Sequence, residues 1–385
     1  MRRTVYNQDH EAFRQTLRDF IAREVTPHYA DWERTGYPPR DFYRKLGDLG
    51  VFGIEVPEEY GGAGETGVKY EAILAEETAR AAVTFGGSYV HPTLCLGYLL
   101  RYGTEKQKKE WLPGFVSGEK MYAVAMTEPG TGSDLAGMAT RAELSQDGTH
   151  YVLNGAKTFI TGGALADRVL VVCRTSPAPA DNRRVGLSIL NVDARSEGFA
   201  VGRKLEKIGL RAQDTAELSF SDVRVPVENL LGEEGRGFFY LGENLVRERF
   251  TIGLTAVATA AAAIEFALDY TRQRLVFGKQ VASFQNTKFV LAECATEVEA
   301  AQAMVDRAMD LYEEDELTVA DAAKIKVFCT EVAGRVIDKC LQLHGGYGYM
   351  LEYPIARLYA DTRVSRIYGG TSEVMKTVIA KDLGL

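Results

Sequence analysis

The spacing of apolar residues changes twice along this chain of 385 residues, and that double change constrains the fold more than any single motif. In DHEAFRQTLRDFIAREV, Phe13, Leu17, Phe20, Ile21 and Val25 recur every three to four positions. This is the period of an amphipathic helix, with acidic residues at its start. DFYRKLGDLGVFGI and VKYEAILAEETARAA continue the pattern around the glycine-rich loop PEEYGGAGETG. From Met121 the texture becomes that of strands: YVLNGAKTFITGG, DRVLVVCR, VGLSILNVD and TAELSFSDVRVP are β-branched runs cut by turn residues. Within the first of these, Asn154-Gly155 predicts a hairpin turn, because both residue types tolerate positive φ. After LLGEEGRGFFY the helical period returns in long segments, and long helices of this kind bundle. The chain therefore reads as a helical domain over 1–120, a β domain over 121–231 and a second helical domain over 232–385. A length above one comfortable core agrees with several domains.

Composition narrows the partners. With 46% hydrophobic and 25% charged residues the chain reads as a water-soluble globular protein. A net charge of −8 argues against nucleic acid or an anionic membrane surface, both of which favour a basic face. The uncharged stretch Phe250 to Ile264 is too short and too rich in alanine, threonine and glycine for a bilayer of about 30 Å, and reads as a buried helix. The N-terminal basic pair, Arg2-Arg3, is not followed by an apolar run, so no secretory signal is expected and the cytoplasm is the default location. Five scattered cysteines without a CxxC pair suggest buried thiols rather than a zinc site or disulfide framework.

Several loops could carry chemistry. YAVAMTEPGTGSDLAG joins a strand to a Gly-, Ser- and Asp-rich turn whose backbone amides and hydroxyls could cradle a phosphate or flavin, although taken by itself such a loop is more often a plain turn. It is not a GxGxxG fingerprint, since Leu135 stands where the third glycine belongs. TRQRLVFGKQ places Arg272, Arg274, Phe277, Gly278 and Lys279 at a helix end, a pattern shared by phosphate sites, interfaces and ordinary helix termini. QLHGGYGYMLEYP reads equally as a tight helix connection or a ligand-facing loop. His344 has no metal-ligand partners in sequence, and no serine sits in a GxSxG elbow.

In their order, AMTEPGTGSD, NGAKTFITGG, RQRLVFGKQ, FQ, QLHGGYGYMLEYP and IYGGTSEV resemble the acyl-CoA dehydrogenase family along nearly the whole chain, with the greatest similarity to long-chain and FadE-type members. The resemblance implies an α+β multidomain fold: an N-terminal all-α domain, a middle β-barrel or sandwich domain and a C-terminal four-helix bundle. It also implies noncovalent FAD, an acyl-CoA substrate, an electron-transferring flavoprotein as acceptor, and a homo-oligomer, commonly a tetramer. By the same carry-over, Met126, Thr127 and Ser133 line the flavin, with Ser133 also near the bound thioester, while Phe159, Ile160 and Thr161 pack against the ring. Arg274, Phe277, Gln285, Gln342, Gly345 and Gly346 match positions that reach the FAD of a neighbouring subunit. Thr371 and Glu373 match residues near the FAD of their own subunit.

One departure from the commonest family pattern carries the mechanistic expectation. Short- and medium-chain members place a catalytic glutamate after the tyrosine of IYGGTSEV, where this chain has Gly369. Long-chain and isovaleryl members instead supply a glutamate from the first long helix of the bundle, directly before an arginine. Here that pair is Glu248-Arg249. A residue without Cβ leaves room for a carboxylate arriving from elsewhere, so the bare Gly369 and Glu248 explain each other. The resemblance then implies that Glu248 removes the α-proton of an acyl thioester as hydride leaves the β-carbon, giving the trans-2-enoyl product. Gly369 N–H grips the thioester carbonyl, and Arg249 and Gly370 lie against the substrate. A carrier-protein thioester, a branched or cyclic acyl group, and a catalytically silent flavin-binding scaffold are the alternatives to a simple acyl-CoA.

Overall fold

The computed structural model describes residues 3–179 and 181–385; Met1, Arg2 of the N-terminal basic pair, and Ala180 lie outside the described residues. Six helices lead: α1 (Gln8–Phe20), α2 (Tyr29–Thr35), α3 (Arg40–Asp48), α4 (Lys69–Arg80), α5 (Leu96–Tyr102) and α6 (Glu105–Val116). Their starts follow capping chemistry. Asn7 and His10 close a capping box on α1, and Thr104 and Gln107 close one on α6, so amide N–H groups with no partner inside the helix are satisfied by side chains. The apolar stripe of α1 buries Leu17 and Phe20 in a core that also holds Phe42, Phe85 and Trp111.

The middle region is one mixed sheet. Its strands are β1 (Tyr122–Ala125), β2 (Arg141–Leu144), β3 (His150–Thr161), β4 (Arg168–Arg174), β5 (Leu187–Asp193), β6 (Phe199–Lys204), β7 (Thr215–Pro226) and β8 (Leu230–Leu231). They lie in the order β6-β7-β3-β2-β4-β5-β8, with β1 parallel to β4. Asn154-Gly155 does not turn a hairpin. Both residues lie inside β3, where the register against β7 shifts between Leu153 and Gly155. Gly155 has φ 147°, and a Cβ on it would sit 2.5 Å from Thr140 Oγ1, so this glycine serves a bulge with close strand approach. The β2–β3 turn is formed instead by the segment through Asp147 and Gly148, with Asp147 accepting from Thr149 N–H.

The C-terminal region opens with α7 (Gly237–Gln273), followed by a two-stranded hairpin, β9 (Leu275–Val276) and β10 (Lys279–Gln280), turned at Phe277-Gly278. Helices α8 (Gln285–Glu313), α9 (Val319–Leu343), α10 (Pro354–Thr362) and α11 (Ser372–Asp382) complete it. By length and mean hydropathy α7 could cross a bilayer, yet 61% of its most apolar window is buried inside the protein. Alanines at 256, 258, 260, 262, 263 and 267 favour helix and keep its surface slim, so α4, α8 and α9 pack close around it. The five cysteines are free and buried.

Helices α7 and α9 approach closely at Gly253. A Cβ there would lie 2.7 Å from Ile325 Cγ2 and 3.3 Å from Ile325 backbone atoms. That approach brings Glu248 and Arg249, one turn earlier on α7, level with Lys326 on α9.

Candidate active site

The turn Ile367 to Thr371 leads into α11, whose N-cap is Thr371, its side chain accepting from Val374 N–H at 3.3 Å. Gly369 (φ 64°) and Gly370 (φ 94°) are both left-handed, a conformation that costs other residues roughly 1–2 kcal/mol. A Cβ at Gly369 would stand 3.4 Å from Glu248 Oε1, so the carboxylate does lie against the bare position. The atom nearest that point is nevertheless Ile252 Cδ1, at 2.5 Å, with Lys326 Cε at 3.5 Å. The missing side chain therefore accommodates Ile252 first and the carboxylate second.

Two cations grip this turn. Arg249 Nε donates to the Gly369 carbonyl at 3.3 Å, and Lys326 Nζ donates to the Gly370 carbonyl at 2.7 Å. Glu248 keeps partial access to solvent. Burial nonetheless pushes its pKa up to about 7, against the opposing pull of Arg249 and Lys326. Burial likewise pulls Lys326 down to about 8, with Glu248 opposing. A carboxyl held near neutrality beside a bare, donor-bearing turn can accept a proton from a weak carbon acid.

The other expected residues fall into separate groups. Met126 and Thr127 follow β1; the Met126 carbonyl accepts from Lys157 Nζ at 2.9 Å and the Thr127 carbonyl from Thr158 N–H at 2.9 Å. Ser133 is exposed in the following loop, where Gly130 and Gly132 have open space around them. Phe159 is 66% exposed with φ 59°, at the second register shift of β3, so the bulge turns its ring outward. Ile160 is buried beneath it, and Thr161 Oγ1 accepts from Gln213 at 3.4 Å. Glu373 is exposed in the first turn of α11.

At the far end of α7, Arg274, Gly345 and Gly346 line an open cleft of about 410 Å³ with Tyr270, His344 and Tyr347. Phe277 is 91% exposed on the hairpin tip, and Gln285 at the start of α8 and Gln342 near the end of α9 are exposed. His344 is buried, bonds the Cys340 carbonyl through Nδ1 at 2.8 Å and stacks on Tyr270, so its role here is structural. The first residue of this cleft, Tyr270, stands 22 positions after Glu248, or about 33 Å along the helix. Glu248 and this cleft therefore cannot serve one small ligand within one chain.

Three features escape sequence reading. Lys326 looks like any helical lysine until α7 covers it. Lys157 and Glu128 form a buried pair at 3.0 Å, and Glu128 also accepts from Ala139 and Thr140 N–H, which ties down the loop after β1. Arg247, beside the candidate base, is buried between Glu55 and Glu71 and anchors α7 to the N-terminal helices. The motifs AMTEPGTGSD and NGAKTFITGG contain Glu128 and Lys157 respectively, which is the signal that could have found the pair.

An acidic group of raised pKa thus lies against a glycine turn, with an open cleft at the C-terminal end of the same helix, on a helical-β-helical frame. The chain belongs to the acyl-CoA dehydrogenase family: its N-terminal, middle and C-terminal domain models match residues 7–119, 123–223 and 235–384. Similarity to the long-chain specific acyl-CoA dehydrogenase, mitochondrial, of Sus scrofa is 44% identity, over 99% of this chain and 88% of that one. Among solved structures, an acyl-CoA dehydrogenase from Geobacillus kaustophilus superposes with a TM-score of 0.94 at 45% identity, covering 99% of both chains. An acyl-CoA dehydrogenase of Bacillus anthracis complexed with FAD superposes at 0.90 and 33% identity, covering 98% of this chain and 68% of that one.

Proposed function

We propose that this protein is an FAD-dependent dehydrogenase of acyl-CoA thioesters in which Glu248 is the α-proton base. The observation that carries this reading is the 3.4 Å approach of Glu248 Oε1 to the point where Gly369 lacks a Cβ. Glu248 takes the α-proton; its elevated pKa makes it a stronger base than a solvated carboxylate, and substrate docking removes the remaining water around it. Gly369 N–H donates to the thioester carbonyl, where negative charge develops as the proton leaves. Arg249 holds the Gly369 carbonyl and so fixes the orientation of that turn.

The residues present fit the cofactor. Open backbone at Gly130 and Gly132, the outward Phe159 and the cleft containing Arg274, Gly345 and Gly346 offer phosphate donors and a ring-stacking face. FAD, when bound, accepts the β-hydride at its ring. Met126, Thr127, Ser133, Phe159, Ile160, Thr161, Thr371 and Glu373 would hold it within one chain. Arg274, Phe277, Gln285, Gln342, Gly345 and Gly346 would complete the site of a neighbouring copy, because of the length of α7. The assembly is then a homo-oligomer, by family expectation a tetramer that passes electrons to an electron-transferring flavoprotein.

Anaerobic titration of the oxidised holoenzyme with acyl-CoAs of graded chain length tests the reading. Bleaching of the oxidised flavin spectrum by at least one acyl-CoA is expected. Bleaching by none of them, or only by carrier-protein thioesters, would refute it.

A further inference from the structure

Lys326 is nearly the least exposed lysine that a helix surface could offer, at 1% of its free accessibility. A lysine so placed, with burial working against its charge, needs partners that repay the loss of water. Its ammonium donates to the Gly370 carbonyl at 2.7 Å, and its Cε lies 3.5 Å from the same bare point at Gly369 from which Glu248 Oε1 stands 3.4 Å away. Arg249 reaches the adjacent carbonyl from the opposite helix. Consecutive carbonyls of a left-handed turn are thus held by cations from α7 and α9. Other titratable groups facing Glu248 are Arg249 on its own helix, Tyr98 from α5 and Tyr368 from the turn.

We infer that Lys326 is a positioning residue for the reaction: its ammonium fixes the Gly369–Gly370 turn and favours the ionised form of the Glu248 carboxyl. This rests on the reading of Glu248 as the base. An ammonium beside a carboxylate favours the charged carboxylate, so it offsets part of the burial that raises Glu248. Since Lys326 itself is lowered to about 8, the pair titrates in two steps, Glu248 losing its proton first and Lys326 second. Flavin reduction in the native enzyme should therefore rise with pH through an acid limb near 7 and fall through an alkaline limb near 8 as the ammonium is lost.

The test compares native holoenzyme, Lys326→Met and Lys326→Arg in anaerobic single-turnover reduction across pH. Lys326→Met should lower the reduction rate by about 10-fold or more with acyl-CoA Kd changed less than about threefold. It should also move the acid limb up by about one pH unit and abolish the alkaline limb. Lys326→Arg should return the acid limb toward its native position. A uniform loss with both limbs unmoved would mean a merely structural role and would overturn the inference. If Lys326→Met loses FAD, Lys326→Gln, a donor without charge, carries the same expectation. Infrared difference spectra against pH supply a readout without turnover, the Glu248 carboxyl band being identified by its absence in Glu248→Gln. That band should titrate higher in Lys326→Met, and an unchanged midpoint would overturn the inference. Failure of the native enzyme to be reduced by any acyl-CoA would refute the functional reading instead, leaving the infrared result to decide the role of Lys326.

Discussion

A carboxyl such as Glu248, held by burial well above its ordinary pKa, costs the fold stability at neutral pH and above. Its folded pKa lies near 7 against 4.5 for the free group, so the native state binds a proton more readily than the unfolded chain between those values. For a raised carboxyl the stabilisation is present below the unfolded pKa and is lost as pH climbs through the folded one. Glu248→Gln removes this titration. Its melting temperature should exceed that of the native protein at pH 8, the difference shrinking to little near pH 4.5. With partial solvent access discounted, the gain at pH 8 is on the order of 1–3 kcal/mol. Calorimetry at both pH values checks this, and a pH-independent difference would speak against a raised Glu248.

Among the elements, the crossing of α7 over α9 sets the site. Gly253 exists for that crossing, since Ile325 Cγ2 occupies the place of its Cβ. Gly253→Val is almost neutral in helix propensity, so overpacking decides the outcome: a loss of about 1–3 kcal/mol in denaturant unfolding is expected, with slower flavin reduction as Glu248 and Lys326 are pushed apart. This crossing also explains which parts of the site were legible in the sequence. Glu248 and Gly369 could be paired by their residue types and the family pattern, although far apart in the chain. Lys326 could not, because its burial arises only where α9 meets α7. Arg247 could not either, as its partners Glu55 and Glu71 come from another region. Asn154-Gly155 misled because the same tolerance of unusual φ serves a bulge as well as a turn. The three-part alternation of helix and strand was legible throughout, since burial of one face imposes the period directly.

For the whole molecule, the length of α7 is the decisive dimension. Glu248 stands in the first third of α7 and the cleft of Arg274, Gly345 and Gly346 at its C-terminal end, and on the proposed reading a second copy completes each cofactor site. Arg274→Ala should weaken FAD retention by about 10-fold or more without moving Glu248, read as flavin content after gel filtration at low protein concentration. On the proposed reading, native protein diluted below its oligomer dissociation constant should lose FAD in parallel with its oligomeric state in sedimentation. FAD held equally by the monomer would contradict the shared site.

The central claim is that one carboxylate, borrowed from α7, removes the proton beside a turn that carries no side chain of its own. Anaerobic mixing of Glu248→Gln holoenzyme with an acyl-CoA that reduces the native flavin tests it most directly. The account predicts that ligand binding, followed by perturbation of the oxidised flavin spectrum, survives while reduction slows by about 10³-fold or more. Reduction at the native rate in that variant would contradict it.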